Sequence, residues 1–235
     1  MNPRASRRLY SAILRLGVGP PLWGFLRAHY PRDEAEAAYE RTWELSLELE
    51  PSIRDEKPFG ARLILRAAAG TLAFYQALRE RGESDEGATG LLAEFTWVVY
   101  EKMGRVPWLL VGFRTRDPYR RLELATRFFR RFPFASPAYE WRDVEAPPGV
   151  VAFDCLRCPV AEFFSTHDAG TLCVETFCNL DFPLAPRWGA SLSRTGSIAG
   201  GAPRCDFRWR VVDDVEHAGA PGEAGPSRRG PSEDS

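Results

Sequence analysis

The hydrophobic spacing of this chain changes period at Pro133, which limits it to folds that join a helical layer to a small sheet. Upstream, apolar residues recur at helical intervals. The spacing predicts a helix over Glu34–Leu49, carried by Ala38, Trp43, Leu45 and Leu49 and stopped by Pro51. A second covers Phe59–Arg81, through Leu63, Ala67, Thr71, Phe74 and Leu78, with Gly82 as terminator. Leu91–Met103 and Tyr119–Phe132 supply two more, and the arginines of the last read as its solvated face. Val106–Phe113 is short and apolar, and pattern alone leaves it open between a buried strand and a connector.

Beyond Pro133 the pattern is strand-like. Tyr139–Val144 and Val150–Asp154 read as strands separated by the Pro147-Pro148-Gly149 turn. Cys158-Pro159 opens a helix running to about Thr166, with proline at a favoured first position. Another helix is predicted over Thr171–Asp181, closed by Pro183. Strands Ala190–Ile198 and Arg204–Val212 then flank a loop at Gly200-Gly201, in a hairpin-like arrangement. The expectation is an α+β fold. A helical region, 1–134, packs with a small antiparallel sheet and helix pair in 135–216, and a disordered tail occupies 217–235. That tail has no aromatic residue and too little apolar surface to offset its ordering entropy.

Charge narrows the function. With 31 basic and 32 acidic side chains the net charge is −1, so no overall field selects nucleic acid or an acidic membrane. No run approaches the roughly 18 apolar residues of a membrane span. Ser6-Arg7-Arg8 has the look of a twin-arginine export signal, but Arg15 and Arg27 interrupt the apolar run such a signal requires. Five cysteines is an odd number and points to reduced thiols rather than a disulfide framework, hence to a cytoplasmic protein.

Every cysteine lies beyond Val150. Cys155-x2-Cys158 and Cys173-x4-Cys178 approach the spacing of a four-thiolate zinc site. On one continuous helix, however, Cys173 and Cys178 would sit about 140° apart and could not easily face one metal. Cys158 precedes a helix start, where unpaired N–H groups and the dipole favour thiolate, making it a nucleophile, a ligand, or a thiol that merely caps and packs. Cys178 and Asp181, three apart, would share a helical face with Glu175, placing a carboxylate beside a thiol. On the final strand Cys205, Phe207, Trp209 and Val211 face one side and Arg204, Asp206, Arg208 and Arg210 the other. His167 is the one histidine near the thiols.

Together Cys158-Pro159, Cys178-Asn179-Leu180-Asp181, the Arg194-Thr195 strand, Gly201 and Cys205-Asp206-Phe207 resemble the L-2-amino-thiazoline-4-carboxylic acid hydrolase family, over about residues 135–212. Cys155 and Cys173 look like additions of this chain. The resemblance implies hydrolytic opening of a small cyclic isothiourea to a carbamoyl cysteine. In that reading Cys158 is the nucleophile, Asp181 the proton-transfer group and Arg194 a clamp for the substrate carboxylate. Cys178 and Cys205 join them as candidate catalytic thiols. A variant has Cys158, Cys178, Cys205 and Asp181 holding a divalent metal such as zinc. The layout also looks like small-molecule sensor domains related to 4-vinyl reductases, which bind ligands without catalysis. The expected partner in each case is a small molecule.

Overall fold

In a computed structural model, which describes residues 3–212, the chain is α+β. Helices α1 (Pro3–His29), α2 (Arg32–Leu49), α3 (Phe59–Glu80), α4 (Asp85–Gly112) and α5 (Pro118–Arg131) build a helical layer. Strands β1 (Glu140–Asp143) and β2 (Val150–Arg157) follow, then three seven-residue helices, α6 (Pro159–Ser165), α7 (Gly170–Thr176) and α8 (Asp181–Arg187). Strands β3 (Ala190–Ser193) and β4 (Cys205–Val211) complete an antiparallel sheet of order β1-β2-β4-β3.

Helix α3 is the hub of the layer. Ala61, Ala68, Ala69, Ala73 and Ala77 are almost wholly buried, and their small side chains let neighbouring helices approach closely. Its one buried charge, Arg66, pairs with Glu50 at 2.7 Å, satisfying both groups away from water. A continuous apolar core then runs from Leu22 of α1 to Trp209 of β4. Helix α8 docks on α4 at Gly104, where a Cβ would meet Leu184 Cδ1 at 2.5 Å and where Trp188 Nε1 donates to the Gly104 carbonyl at 3.1 Å.

The β2–β4 register pairs Cys155 with Cys205, Phe153 with Phe207 and Val151 with Trp209, so these residues share the inner face as strand alternation predicts. The other face is polar. There Asp154, only 2% exposed, accepts from Arg142 at 2.8 Å and Arg208 at 3.0 Å, with Arg204 at 3.3 Å. Burial works to raise this carboxyl, but the hydrogen bonds from Arg142 and Arg208 prevail and hold it below its ordinary range.

The structure departs from the sequence expectation in several places. Helix α1, to which the pattern assigned nothing, continues through Pro20-Pro21, because Leu22 and Leu26 are buried against the helical layer. Helix α4 begins at Asp85, where the Ser84 side chain caps it by accepting from Gly87 N at 3.0 Å. It carries on through Pro107, so Val106–Phe113 is neither strand nor connector but largely the last two turns of α4. The helix expected over Thr171–Asp181 breaks after Thr176: Phe177 leaves helical geometry, Cys178–Leu180 form a 3-10 turn, and Asp181 starts α8. Pro183 therefore opens a helix rather than closing one, since first-turn N–H groups need no helical partner. The strand expected over Ala190–Ile198 ends at Ser193. The predicted tail, 217–235, lies outside the described residues.

Candidate functional site

Between the inner face of the sheet, α4 and α5 on one side and α6–α8 on the other lies a cavity of about 110 Å³. All five cysteines line it, together with Tyr100, Asp181 and Arg194. The break at Phe177 makes this possible: with the helix interrupted, Cys173 and Cys178 both reach the cavity, which a continuous helix would prevent. Glu175 does not join them. It is exposed and accepts from Asn179 at 3.2 Å. His167 Nδ1 lies 2.8 Å from the Phe163 carbonyl, outside the cavity lining.

Burial separates the thiols. Cys158 caps α6, its sulfur accepting from Ala161 N at 3.5 Å, as the sequence predicts. The expected thiolate does not follow, because burial outweighs the helix end and pushes this thiol up to about 12. Cys205 accepts from Ile198 N at 3.2 Å and is pushed up to about 11 by burial. Cys155 donates to the Arg157 carbonyl at 3.1 Å, and burial raises it further. Cys173 is raised by its hydrogen bond toward Cys178 and by burial.

Cys178 alone moves the other way. The Cys173 thiol, acting as donor, favours the Cys178 thiolate against burial, and the Arg194 cation and the Ser197 hydroxyl add to it. Arg194 is locked in position beside it. Only 5% exposed, it donates to the Cys178 carbonyl at 2.9 Å and lies over the rings of Phe182 and Phe207 at 5.0 and 5.5 Å. Its loop is fixed from the far side of the sheet, where Asp206 accepts from Thr195 N, Thr195 Oγ1 and Gly196 N at 2.9, 2.7 and 3.1 Å.

Asp181, the first residue of α8, receives the Tyr100 hydroxyl at 2.5 Å and stands 3.9 Å from Arg194 Nη1. Burial raises its carboxyl to about 6, overriding the lowering effects of Tyr100 and Arg194. Tyr100 is itself raised well above its ordinary value, first by burial and then by Asp181, so it remains a proton donor. Nothing local in the sequence marks Tyr100, which reaches the site from 81 residues upstream. Among the described residues no three His, Cys, Asp or Glu side chains are grouped so as to hold a metal ion. The arrangement thus gathers one thiol shifted toward thiolate, a carboxyl raised to about 6, a buried cation and a tyrosine donor around one small cavity.

The family model for L-2-amino-thiazoline-4-carboxylic acid hydrolase matches residues 62–209, from the first turn of α3 to β4. The chain belongs to this L-2-amino-thiazoline-4-carboxylic acid hydrolase family. The match reaches well upstream of the 135–212 stretch that carries the motifs, and it includes every residue lining the thiol cavity, Tyr100 among them. In this hydrolase-family chain α1 and α2 lie outside the matched segment. No curated protein and no solved structure matches the chain.

Proposed function

We propose that this protein hydrolyses a small cyclic carbon–nitrogen/carbon–sulfur compound, of the 2-amino-thiazoline-4-carboxylate type, in the thiol-lined cavity. The observation that carries the reading is the meeting of Cys178, Asp181, Tyr100 and Arg194 in one small, mostly apolar cavity within the family-matched segment. In size the cavity is of the order of the roughly 150 Å³ voids that accept a single small ring.

The nucleophile in this proposal is Cys178 rather than Cys158, because only its thiol is favoured as thiolate. The Cys178 sulfur adds to the electrophilic ring carbon, and the ring carbon–sulfur bond breaks. Asp181 then takes a proton from water as the water oxygen bonds that carbon, and the Cys178 sulfur leaves as thiolate. The proton passes from Asp181 to the liberated substrate sulfur, the other water hydrogen ends on nitrogen, and one water is consumed. A carboxyl near 6 suits the base role, since it is ionised at neutral pH yet still basic. Tyr100 holds it in place, and Arg194 offsets negative charge between acid and thiolate.

The test is ring opening of 2-amino-thiazoline-4-carboxylate by the purified chain, followed by loss of ring absorbance. Turnover by wild type and by Cys158→Ala, with none by Cys178→Ala, is the expected result. No turnover of this ring or of related cyclic isothioureas by wild type would refute the enzyme. One observation favours a second reading, a ligand-binding sensor: four of the five thiols are held protonated. Iodoacetamide separates the two. Cys178 labelling well below the ordinary thiol pKa of about 8.5 fits the hydrolase, and uniformly slow labelling fits the sensor.

A further inference from the structure

A surface helix normally buries one apolar stripe and turns a polar one to water, so a helical segment that is apolar on both sides calls for a second apolar neighbour. Val106–Phe113, at the end of α4, is such a segment, which is why its pattern reads neither as helix nor clearly as strand. Its packed side is made by Gly104, Pro107 and Val111, all buried, with Trp108 stacked on Trp188 at 5.9 Å. Its other side is Val106, Leu109, Leu110 and Phe113, which are 51, 59, 54 and 90% exposed. These recur at three- and four-residue steps and so form one continuous stripe, unlike scattered apolar side chains that need no explanation. None of the four lines the thiol cavity.

The charges around the stripe are of one sign. From Lys102 to Arg116 the charged residues are Lys102, Arg105, Arg114 and Arg116, with no acid among them, although the whole chain carries a net −1. All four are exposed, and Lys102 and Arg105 stand one turn before Val106 and Leu109 on the same side of α4. The acids that flank the stretch are already engaged. Glu101, 17% exposed, pairs with Arg105 and Arg187 at 3.2 and 3.3 Å, and Asp117 caps α5 by accepting from Arg120 N at 2.6 Å.

We propose that the outward side of α4 from Val106 to Phe113, with its basic rim, is a docking surface for an anionic phospholipid bilayer. Val106, Leu109, Leu110 and Phe113 enter the boundary between headgroups and acyl chains, to the depth of about 5–10 Å typical of an interfacial helix, while the four cations meet lipid phosphates. Charge complementarity selects this occupant. A second copy docking symmetrically would set this surface against itself and bring like cations together. The protein rests on the bilayer rather than crossing it, since no described helix is long and apolar enough to span one.

The test is flotation of the full chain with vesicles of phosphatidylcholine alone and of phosphatidylcholine containing about one third phosphatidylglycerol, at about 0.1 M salt. Binding to the anionic vesicles is expected to be at least about tenfold tighter than to the neutral ones. The double variant Arg114→Gln/Arg116→Gln should weaken anionic binding about 20- to 30-fold, each cation near such a surface being worth roughly fivefold. Leu109→Ser/Phe113→Ser should weaken it at least about tenfold by removing the inserted side chains. All four positions are exposed, so both variants should melt within a few degrees of wild type; if one melts early, the other decides. No binding to anionic vesicles, equal binding to the two vesicle types, or anionic binding left unchanged by a folded double variant overturns the proposal. So does a dimer in solution, seen by light scattering, that Leu109→Ser/Phe113→Ser disperses, which would give the stripe to a second copy.

Discussion

Replacing Asp181 by asparagine should stabilise the protein while disabling it. Burial favours the neutral carboxyl, so the folded-state value rises from the ordinary 3.8 to about 6. For an acid raised in this way the stabilising contribution is complete below the unfolded value and disappears as pH climbs through the folded one. At about 1.36 kcal/mol per pH unit, the ionised carboxyl holds the fold up to about 3 kcal/mol below what a neutral group would give above pH 7. Asparagine is neutral at every pH and nearly the same shape. Urea denaturation of wild type and Asp181→Asn from pH 4 to pH 8 should therefore show nearly equal stabilities at the acid end. A gap in favour of the variant should open between about pH 4 and pH 6 and level off at up to about 3 kcal/mol above it. In melting experiments that corresponds to roughly 6–12 °C for a chain of this size. Turnover of the thiazoline should fall by about 10²–10⁴ in the same variant. A stability difference that does not change with pH, or an asparagine variant less stable at pH 8, would refute the placement of Asp181 as a buried, strained acid.

Other expectations can be tested in parallel. Tyr100→Phe removes a hydrogen bond that lowers Asp181, so the activity limb near pH 6 should move to higher pH in rate profiles; an unmoved limb would separate Tyr100 from the acid. Asp154→Asn leaves the half-exposed Arg142, Arg204 and Arg208 around a neutral amide and should cost about 1.5–3 kcal/mol in denaturant titrations at pH 7. Because the Asp154 carboxyl is held low, that penalty should shrink as pH falls through its folded value, opposite in sense to Asp181. Gly104→Ala drives a methyl into Leu184 at the α4–α8 contact and should cost about 1–3 kcal/mol, measured by thermal melting, with a neutral result showing that α8 can shift.

The fold class was legible because helical and strand periods differ, and the change at Pro133 survives in the structure as the passage from α5 to β1. Continuity was less legible. Pro20-Pro21 and Pro107 sit inside helices whose tertiary packing overrides a local breaker, whereas the break at Phe177 has no proline or glycine to announce it. The motif residues Cys158, Cys178, Asp181, Arg194 and Cys205 could be named from sequence, since they cluster along the chain as well as in space. Their chemistry could not, because a thiol's ionisation depends on burial and on partners such as Cys173 and Arg194 that only the folded chain brings close. Tyr100, Arg130 and Tyr139 gave no local signal, and α4, α5 and the approach to β1 bring them to the cavity by packing alone, whereas strand alternation already put Trp209 on the face of Cys205.

Helices α6, α7 and α8, which with the turn after α7 carry Cys158, Cys173, Cys178 and Asp181, have seven residues each. Segments that short do not persist by themselves in water, and they hold their shape only once docked on α3, α4 and the sheet. Until docking is complete the Cys178 sulfur has neither its thiol donor nor its arginine, and it behaves as an ordinary, mostly protonated cysteine. A chain emerging from synthesis, or one partly opened by heat, therefore carries no unusually reactive sulfur with which to attack bystanders. In the proposed mechanism, completion of the fold is what arms the nucleophile.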